Sequence, residues 1–156
     1  METYHFITIW KIEAPLSSVW DAIFKSEEWP QWWKYVKKVT LIEKGDANDI
    51  GTVRQFDWST KFFYTISFKS KLVENGYGKR LKGQAWGELN GEGLWTFSEE
   101  NGITTATYYW DVQTSKGWMN LFSPILKPLF KYNHDVVMQA GADGLSKKLN
   151  AKLIAS

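Results

Sequence analysis

Three Asn-Gly dipeptides, each placed between strand-like runs, constrain the fold of this 156-residue chain more than any other feature. They are Asn75-Gly76, Asn90-Gly91 and Asn101-Gly102. Asn-Gly is the preferred dipeptide of tight β-hairpin turns, because both of its residues tolerate a positive φ. The three pairs therefore predict an antiparallel meander through the middle of the chain.

Runs of β-branched and aromatic residues predict seven strands. They are Thr3–Ile12, Val36–Glu43, Thr52–Trp58, Phe62–Val73, Gly78–Leu89, Gly93–Ser98 and Ile103–Val112. Apolar residues at helical spacing predict two short helices after the first strand, one near Pro15 and one around Pro30. A long helical pattern runs from Ser123 to about Leu149, and Pro128 within it predicts a kink or a break.

The first hairpin indicates a trough on the inner face of the sheet. A two-residue turn at Asn75-Gly76 places Phe68 opposite Gly83. On this register Gly83, Ala85 and Gly87 all face inward, where small residues leave space between aromatic neighbours. Two interpretations stay open: neighbouring rings or the long helix fill the space, as close packing requires, or it remains an aromatic-walled pocket.

The next two hairpins determine which rings line that trough. A three-residue loop at residues 90–92 turns Trp95 and Phe97 inward, whereas a two-residue loop would turn them to solvent. A two-residue turn at Asn101-Gly102 then pairs Phe97 with Ala106, which agrees with the first choice. The sequence thus predicts a self-consistent aromatic inner face.

Projected at 100° per residue, the long helix presents one narrow stripe to the sheet. The stripe consists of Leu126, Leu129, Asn133, Val137, Ala140 and Gly144. Ala142 falls on the opposite side, and His134 falls toward the edge of the stripe, so we expect His134 at the surface or at the cavity rim. Asn133 is a polar side chain at the centre of an otherwise apolar face.

Composition excludes several classes of protein. The chain has 10 tryptophans and no cysteine, so an aromatic core or pocket is predicted and disulfides and thiolate metal ligands are excluded. A net charge of +2 is too mild to indicate a nucleic-acid partner. No leader and no apolar run of ~20 residues is found, which favours a cytoplasmic protein without integral membrane association. We expect a single domain over residues 1–156, and neither a metal site nor a cofactor, since the two histidines lack a companion carboxylate at ligand spacing.

Four stretches resemble the START-like, or SRPBCC, superfamily, and within it the polyketide cyclase/dehydrase-like group. They are Ile12-Glu13-Ala14-Pro15, Val19-Trp20, Trp29-Pro30-Gln31-Trp32-Trp33, and Val39 through Gly51-Thr52-Val53-Arg54. The resemblance covers nearly the whole chain and implies an α+β helix-grip fold. In that fold a seven-stranded antiparallel sheet wraps around a long C-terminal helix and encloses a cavity, with two short helices after strand 1. It carries over no catalytic residue, so none is assigned.

Residue parity and the helical stripe supply candidates for ligand contact. Arg54 alternates with Phe56 and Trp58 on an apolar face, where an unpaired charge is costly. It could hold a ligand carboxylate, phosphate or enolate, pair with an internal acid, or reach the cavity mouth. The predicted ligand-binding set is Arg54, Phe56, Trp58, Tyr64, Phe68, Trp95, Phe97, Tyr108, Trp110, Asn133 and Val137.

These features favour the binding or carriage of a small hydrophobic or aromatic molecule between the sheet and the long helix. One alternative is a polyketide cyclase/dehydratase-like enzyme, since such chemistry needs little more than a shaped cavity and a few hydrogen-bond donors. Another is a protein-interaction module whose cavity is filled by its own rings. Trp86, Leu94 and Tyr109 lie on the outer face of the predicted sheet, and they indicate a homodimer contact.

Overall fold

The computed structural model describes residues 3–61, 64–115, 117, 121 and 123–156. Within these residues eight strands form one antiparallel sheet in the order β2-β3-β4-β5-β6-β7-β1-β8. The strands are β1 (Thr3–Ile12), β2 (Val36–Glu43), β3 (Val53–Ser59), β4 (Thr65–Gly76), β5 (Arg80–Gly87), β6 (Leu89–Glu100), β7 (Ile103–Thr114) and β8 (Leu153–Ala155). The helices are α1 (Leu16–Phe24), α2 (Trp29–Trp32) and α3 (Ser123–Leu149), with a 3₁₀ turn at Ser26–Glu28.

This arrangement confirms the predicted α+β helix-grip fold. The described sheet has one strand more than predicted, because Leu153–Ala155 turns back after α3 and pairs with β1. The predicted strand that began at Phe62 begins at Thr65 in the structure, and residues 62 and 63 lie outside the described part of the chain. Of the kink or break predicted at Pro128, the break is wrong, since α3 continues through that residue, and the kink stays a prediction.

Two glycines let α3 pack closely on the tryptophan-rich segment around α2. A Cβ atom at Gly141 would meet the rings of Trp33 and Trp10 at 2.5 and 2.8 Å, and one at Gly144 would collide with the backbone oxygen of Trp32. The indole of Trp33 also donates to the backbone oxygen of Val137 at 2.8 Å. Helix α3 is therefore held by α2 as well as by the sheet.

The face of α3 that is buried in the structure is rotated about the helix axis relative to the predicted one. Ala142, which we expected to face solvent, is completely buried, whereas Ala140 and Gly144 are only half-buried. The buried residues of α3 are Phe130, Asn133, Val137, Met138, Gly141, Ala142 and Leu145. The physical reason is that α1 and α2 pack against α3 beside the sheet, so the buried face is broader than one that meets a sheet alone.

The β4–β5 turn differs from the predicted Asn75-Gly76 turn. Tyr77, Gly78 and Lys79 form it, and Gly78 takes the positive φ of +74°. The amide of Asn75 instead donates to the backbone oxygen of Asn48 at 2.7 Å. Phe68 consequently pairs with Gly87 rather than with Gly83. This shift of four residues is even, so Gly83 and Ala85 keep their predicted inner face.

The β5–β6 connection also lies earlier than predicted, at Glu88. Asn90 and Gly91 belong to β6, where a Cβ atom on Gly91 would collide with the backbone oxygen of Asp111 on β7. Gly91 thus serves a close approach of two strands rather than a turn. Gly87, predicted to face inward, is exposed with a φ of +122°, although it still pairs with Phe68 as the last residue of β5.

The β6–β7 hairpin confirms its prediction. Asn101 and Gly102 form a two-residue turn with φ angles of +53° and +77°, and Phe97 pairs with Ala106 as expected. Trp95 and Phe97 are both buried. The aromatic inner face therefore follows the predicted alternation even where the turns differ.

Among the helices in the described residues, none has the length and apolar character that crossing a bilayer requires.

Candidate functional site

The sheet and α3 enclose a cavity of about 120 Å³, which we call the α3 cavity. A single water needs roughly 10–15 Å³ on this kind of measure, so the space is large enough for an organic ligand. Its walls come from β1, α2, the neighbouring strands and α3. Outside the set of rings described below, it is lined by Tyr4, Phe6, Trp33, Ser59, Thr60, Tyr64, Ile66, Leu89, Val112, Thr114, Phe130, Asn133, His134, Val137 and Met138.

A second space of about 110 Å³, the Arg54 cavity, lies between the strands and the end of α1. Of the trough predicted from sequence, only Gly83 lines this cavity, where Gly93 joins it, and Ala85 and Gly87 do not. Gly83 pairs directly with Gly93, and a Cβ atom on Gly93 would lie 2.6 Å from the hydroxyl of Tyr108. Six aromatic rings line this cavity as well as the α3 cavity. The other lining residues are Ile23, Phe24, Ser26, Asp49, Thr52, Arg54, Phe56, Ser70, Leu72, Leu81, Lys82, Gly83 and Gly93.

Six aromatic rings line both cavities, and we call them the aromatic wall. They are Trp29, Trp58, Phe68, Trp95, Tyr108 and Trp110. The rings pack on one another: Trp95 stacks on Tyr108 with centroids 4.5 Å apart, and Phe68 lies 5.3 Å from Trp110. Such contacts stabilise aromatic pairs beyond simple burial, so the wall is a packed partition rather than loose filling.

The structure brings ten of the eleven predicted ligand-binding residues to these cavities. The α3 cavity receives Trp58, Tyr64, Phe68, Trp95, Tyr108, Trp110, Asn133 and Val137, and the Arg54 cavity receives Arg54 and Phe56 together with the shared rings. Phe97 lines neither space and instead packs against Trp20 with centroids 5.0 Å apart. The interior therefore holds unfilled space, which favours ligand binding over the filled interior of the interaction-module alternative.

Arg54 is neutralised within the protein. Its Nε donates to Glu27, and its Nη2 lies 3.0 Å from Oδ2 of Asp49. Asp49 has a φ of +67° and accepts a hydrogen bond from Thr52 Oγ1 at 2.7 Å, which fixes its carboxylate. Of the alternatives drawn from the sequence, pairing with internal acids is the one observed, and contact of Arg54 with a ligand stays a prediction.

Asn133 forms a structural hydrogen bond beside the α3 cavity. Its Oδ1 accepts a hydrogen bond from the backbone N–H of Lys61 at 3.0 Å, and Lys61 Nζ donates to Tyr132 at 3.0 Å. These contacts fasten the chain after β3 to α3 beside the cavity. The buried amide is therefore already used by the protein, and its predicted contact with a ligand remains untested.

His134 is the site residue that the sequence reasoning placed wrongly. It lines the α3 cavity with only 13% of its side chain exposed, and its ring stacks on Phe6 with centroids 4.1 Å apart. Both ring nitrogens are buried and have no hydrogen-bond partner. Burial lowers the pKa of His134 to about 4, with Lys131 adding to and Asp135 opposing the effect. The imidazole is therefore neutral at pH 7.

Two tyrosines of the cavities keep their protons. Burial, with a smaller contribution from Tyr4, raises the pKa of Tyr64 to about 12, and burial raises the pKa of Tyr108 far above its ordinary value. A protonated phenol is a hydrogen-bond donor and a weak general acid. Among the described residues, no group of three or more histidines and carboxylates is arranged to hold a metal ion.

The predicted homodimer surface is divided on the outer face. Leu94 lies opposite Tyr109, whose β1 partner is the exposed Ile7. Trp86 is also exposed but stands four residues along β5 from Lys82, the partner of Leu94, which is about 13 Å. Self-association through this face stays a prediction.

Comparison with known proteins identifies the family. Residues 8–150 match the family described as "Polyketide cyclase / dehydrase and lipid transport". The chain belongs to this family. The match confirms the resemblance to the START-like superfamily that the sequence indicated.

Solved structures share the fold at low sequence identity. The Zhui aromatase/cyclase from Streptomyces sp. R1128 is 11% identical, with a TM-score of 0.78 over 96% of this chain and 94% of that one. A START superfamily protein from Mycobacterium smegmatis is also 11% identical, with a TM-score of 0.75 over 94% and 97%. The di-domain ARO/CYC BexL from the BE-7585A biosynthetic pathway is 20% identical with a TM-score of 0.73 over 96% of this chain, which spans 51% of BexL. No curated protein sequence matches the chain.

Proposed function

We propose that this protein binds a small hydrophobic or aromatic molecule in the α3 cavity. The proposal rests on the cavity itself. Its volume of about 120 Å³ is large enough for an organic molecule, and its lining is almost entirely apolar and aromatic. Ligand sites are typically concave and apolar with a few placed polar groups. The family description, which includes lipid transport, supports the proposal.

The physical gain comes from apolar contact. Each Å² of apolar ligand surface removed from water contributes about 25 cal/mol, and the aromatic wall offers faces and edges on which a planar ligand can stack. The residues predicted to supply these contacts are Trp58, Tyr64, Phe68, Trp95, Tyr108, Trp110 and Val137. Arg54 offers no unpaired positive charge to an anionic ligand group, since it lines the other cavity and is paired with two acids.

The test is native mass spectrometry of freshly purified protein, followed by solvent extraction and identification of any bound molecule. The cavity is blocked in Val137→Phe, whose larger side chain points into it, and Val136→Phe is the matched control on the half-buried outer side of α3. We expect an extracted apolar compound from the wild type and from Val136→Phe, and at least tenfold less from Val137→Phe. Equal recovery from both variants would place the ligand elsewhere.

A second candidate function is a cyclase or dehydratase reaction in the same interior. It is favoured by Tyr108, whose protonated phenol lines the Arg54 cavity. Hydrogen-bond donors of this kind can stabilise a developing enolate. The similarity in fold to the Zhui aromatase/cyclase adds support. If the extracted compound is converted by the protein, Tyr108→Phe should slow turnover about 10²-fold, and an unchanged rate would remove this role.

A further inference from the structure

His134 is a polar side chain in the α3 cavity that has no hydrogen-bond partner among the residues that the structure describes. Its two nitrogens are buried and unpartnered although 13% of the side chain remains exposed. A buried polar group without a hydrogen bond is costly, and native proteins leave few such groups. The cost is offset if a bound molecule supplies the missing partner.

The surroundings of the ring determine which partner fits. Oδ1 of Asp135 lies 4.0 Å from Nδ1, too far for a hydrogen bond but close enough for its charge to favour a proton on Nδ1. Oδ2 of Asp135 is held by Lys131 Nζ at 3.0 Å. From β1, Tyr4 and Phe6 face the same side of the cavity, and Phe6 stacks on the ring. With Nδ1 protonated, the neutral imidazole offers Nε2 as a hydrogen-bond acceptor.

We propose that His134 selects, among the apolar and aromatic molecules that enter the α3 cavity, those that carry a hydroxyl group able to donate a hydrogen bond to Nε2. The ligand class is therefore a phenol, an enol or an alcohol on an apolar body. Because Nε2 is buried in the structure, the proposal requires the ring to rotate about its Cβ–Cγ bond against Phe6 so that Nε2 reaches the ligand. This inference rests on the proposed binding function and adds the chemistry of its ligand.

Three probes of one shape separate the contributions: 2-naphthol donates a hydrogen bond, 2-methoxynaphthalene only accepts one, and 2-methylnaphthalene does neither. Their affinities for the wild-type protein are measured by titration calorimetry at pH 7. We expect 2-naphthol to bind about tenfold more tightly than either of the others, which is the ratio that one hydrogen bond to an unpartnered buried nitrogen supplies.

His134→Phe is the decisive variant, because a phenyl ring retains the stack on Phe6 and loses both nitrogens. All three probes should bind it with similar affinity. The matched control is His5→Phe, which makes the same chemical change at an exposed position of β1 paired with Asp111. It should retain the tenfold preference for 2-naphthol.

A second measurement needs no variant. The chain has only two histidines, so a long-range ¹H–¹⁵N spectrum of the wild type gives one pattern for the buried ring and one for the exposed ring. Saturating 2-naphthol should shift the acceptor nitrogen of His134, whereas 2-methylnaphthalene should leave it near its free position. His5 should not move with either probe.

The outcomes separate the two proposals. Equal affinities of the wild type for the three probes, or a preference that survives in His134→Phe, overturns the selection by His134 and leaves cavity binding intact. Identical nitrogen shifts with 2-naphthol and 2-methylnaphthalene overturn it as well. If no probe binds the wild type and extraction yields no apolar compound, the proposed function fails and this inference fails with it.

Discussion

The α3 cavity and the Arg54 cavity share one aromatic wall, yet they treat polar groups in opposite ways. In the Arg54 cavity a guanidinium is closed off by Glu27 and Asp49. In the α3 cavity the imidazole of His134 has no partner at either nitrogen. In the Arg54 cavity the charge of the guanidinium is therefore balanced without a ligand. In the α3 cavity the neutral ring of His134 keeps two nitrogens that form no hydrogen bond.

This difference indicates separate duties for the two spaces. A buried charge must be balanced during folding, because leaving it alone costs several kcal/mol. A neutral nitrogen can be left unsatisfied at a cost of about 1–3 kcal/mol. Only the second kind of group is available to a neutral ligand without first breaking a protein contact.

The largest expected effect on stability comes from removing the ion pairs of Arg54. Arg54→Leu leaves the carboxylates of Glu27 and Asp49 facing each other without their cation, and we expect the free energy of unfolding to fall by about 3 kcal/mol. Urea denaturation measures it. The matched control is Arg80→Leu, whose pair with Glu74 is nearly half exposed on both sides and should contribute no more than about 1 kcal/mol. Equal losses in the two variants would show that the Arg54 cluster is not special.

The burial of His134 in the α3 cavity predicts that the stability of the protein depends on pH. The pKa of His134 is near 6.5 when unfolded and about 4 when folded, so between these values only the unfolded chain takes up the proton. The free energy of unfolding therefore falls as the pH drops below 6.5, by about 2 kcal/mol at pH 5 from this group. The facing charges, Asp135 and Lys131, lie on the same helix, and β1 contributes the ring of Phe6.

Comparing variants isolates that contribution. His134→Phe should flatten the stability curve between pH 7 and pH 5 by about 2 kcal/mol relative to the wild type. Val136→Phe, a change on α3 that removes no titratable group, should leave the curve parallel to the wild type. A His134→Phe curve parallel to the wild type would mean that the folded protein protonates this ring as readily as the unfolded chain.

A smaller effect sharpens the comparison within the α3 cavity. Asn133→Leu removes the acceptor of the Lys61 backbone N–H, and we expect a loss of about 1 kcal/mol. Hydrogen exchange at the Lys61 amide should accelerate about fivefold to tenfold, which is the same energy expressed as a ratio. Tyr132→Phe removes the hydroxyl that accepts from Lys61 Nζ, keeps the Asn133 acceptor, and should leave that amide protected. Unchanged exchange in Asn133→Leu would show that the amide is held by another contact.

The smallest effect concerns the outer face. Tyr109→Ser alters the pair between the exposed Tyr109 and the half-buried Leu94 and touches neither cavity, so stability should change by less than about 0.5 kcal/mol. If the predicted homodimer exists, light scattering should show a dimer for the wild type and a smaller mass for the variant. A wild-type monomer at high concentration would remove the dimer prediction.

The inner face of the sheet was predictable because strand side chains alternate with a period of two. The register errors at the Asn75 and Asn90 turns were even, so Gly83, Trp95 and Phe97 kept their sides. Asn-Gly identifies a turn only when no other use of the residues competes. Asn75 is used by a bond to Asn48, and Gly91 by the close approach of β7.

The α3 cavity was harder to predict because it depends on the rotation of one helix. The projection included Asn133 and Val137 but missed a second buried row, Phe130, His134 and Met138, which are spaced by four residues. Spacing of this kind was a usable signal in the sequence. What it could not supply is the position of α1 and α2 against α3, which is set by tertiary packing of the tryptophans.

The aromatic wall has one further consequence, which concerns size. Because the same six rings close both spaces, volume is held in common: a ring that leans toward one cavity enlarges the other. The space available to a ligand in the α3 cavity therefore depends on where these packed side chains lie, and not on the backbone of the sheet alone.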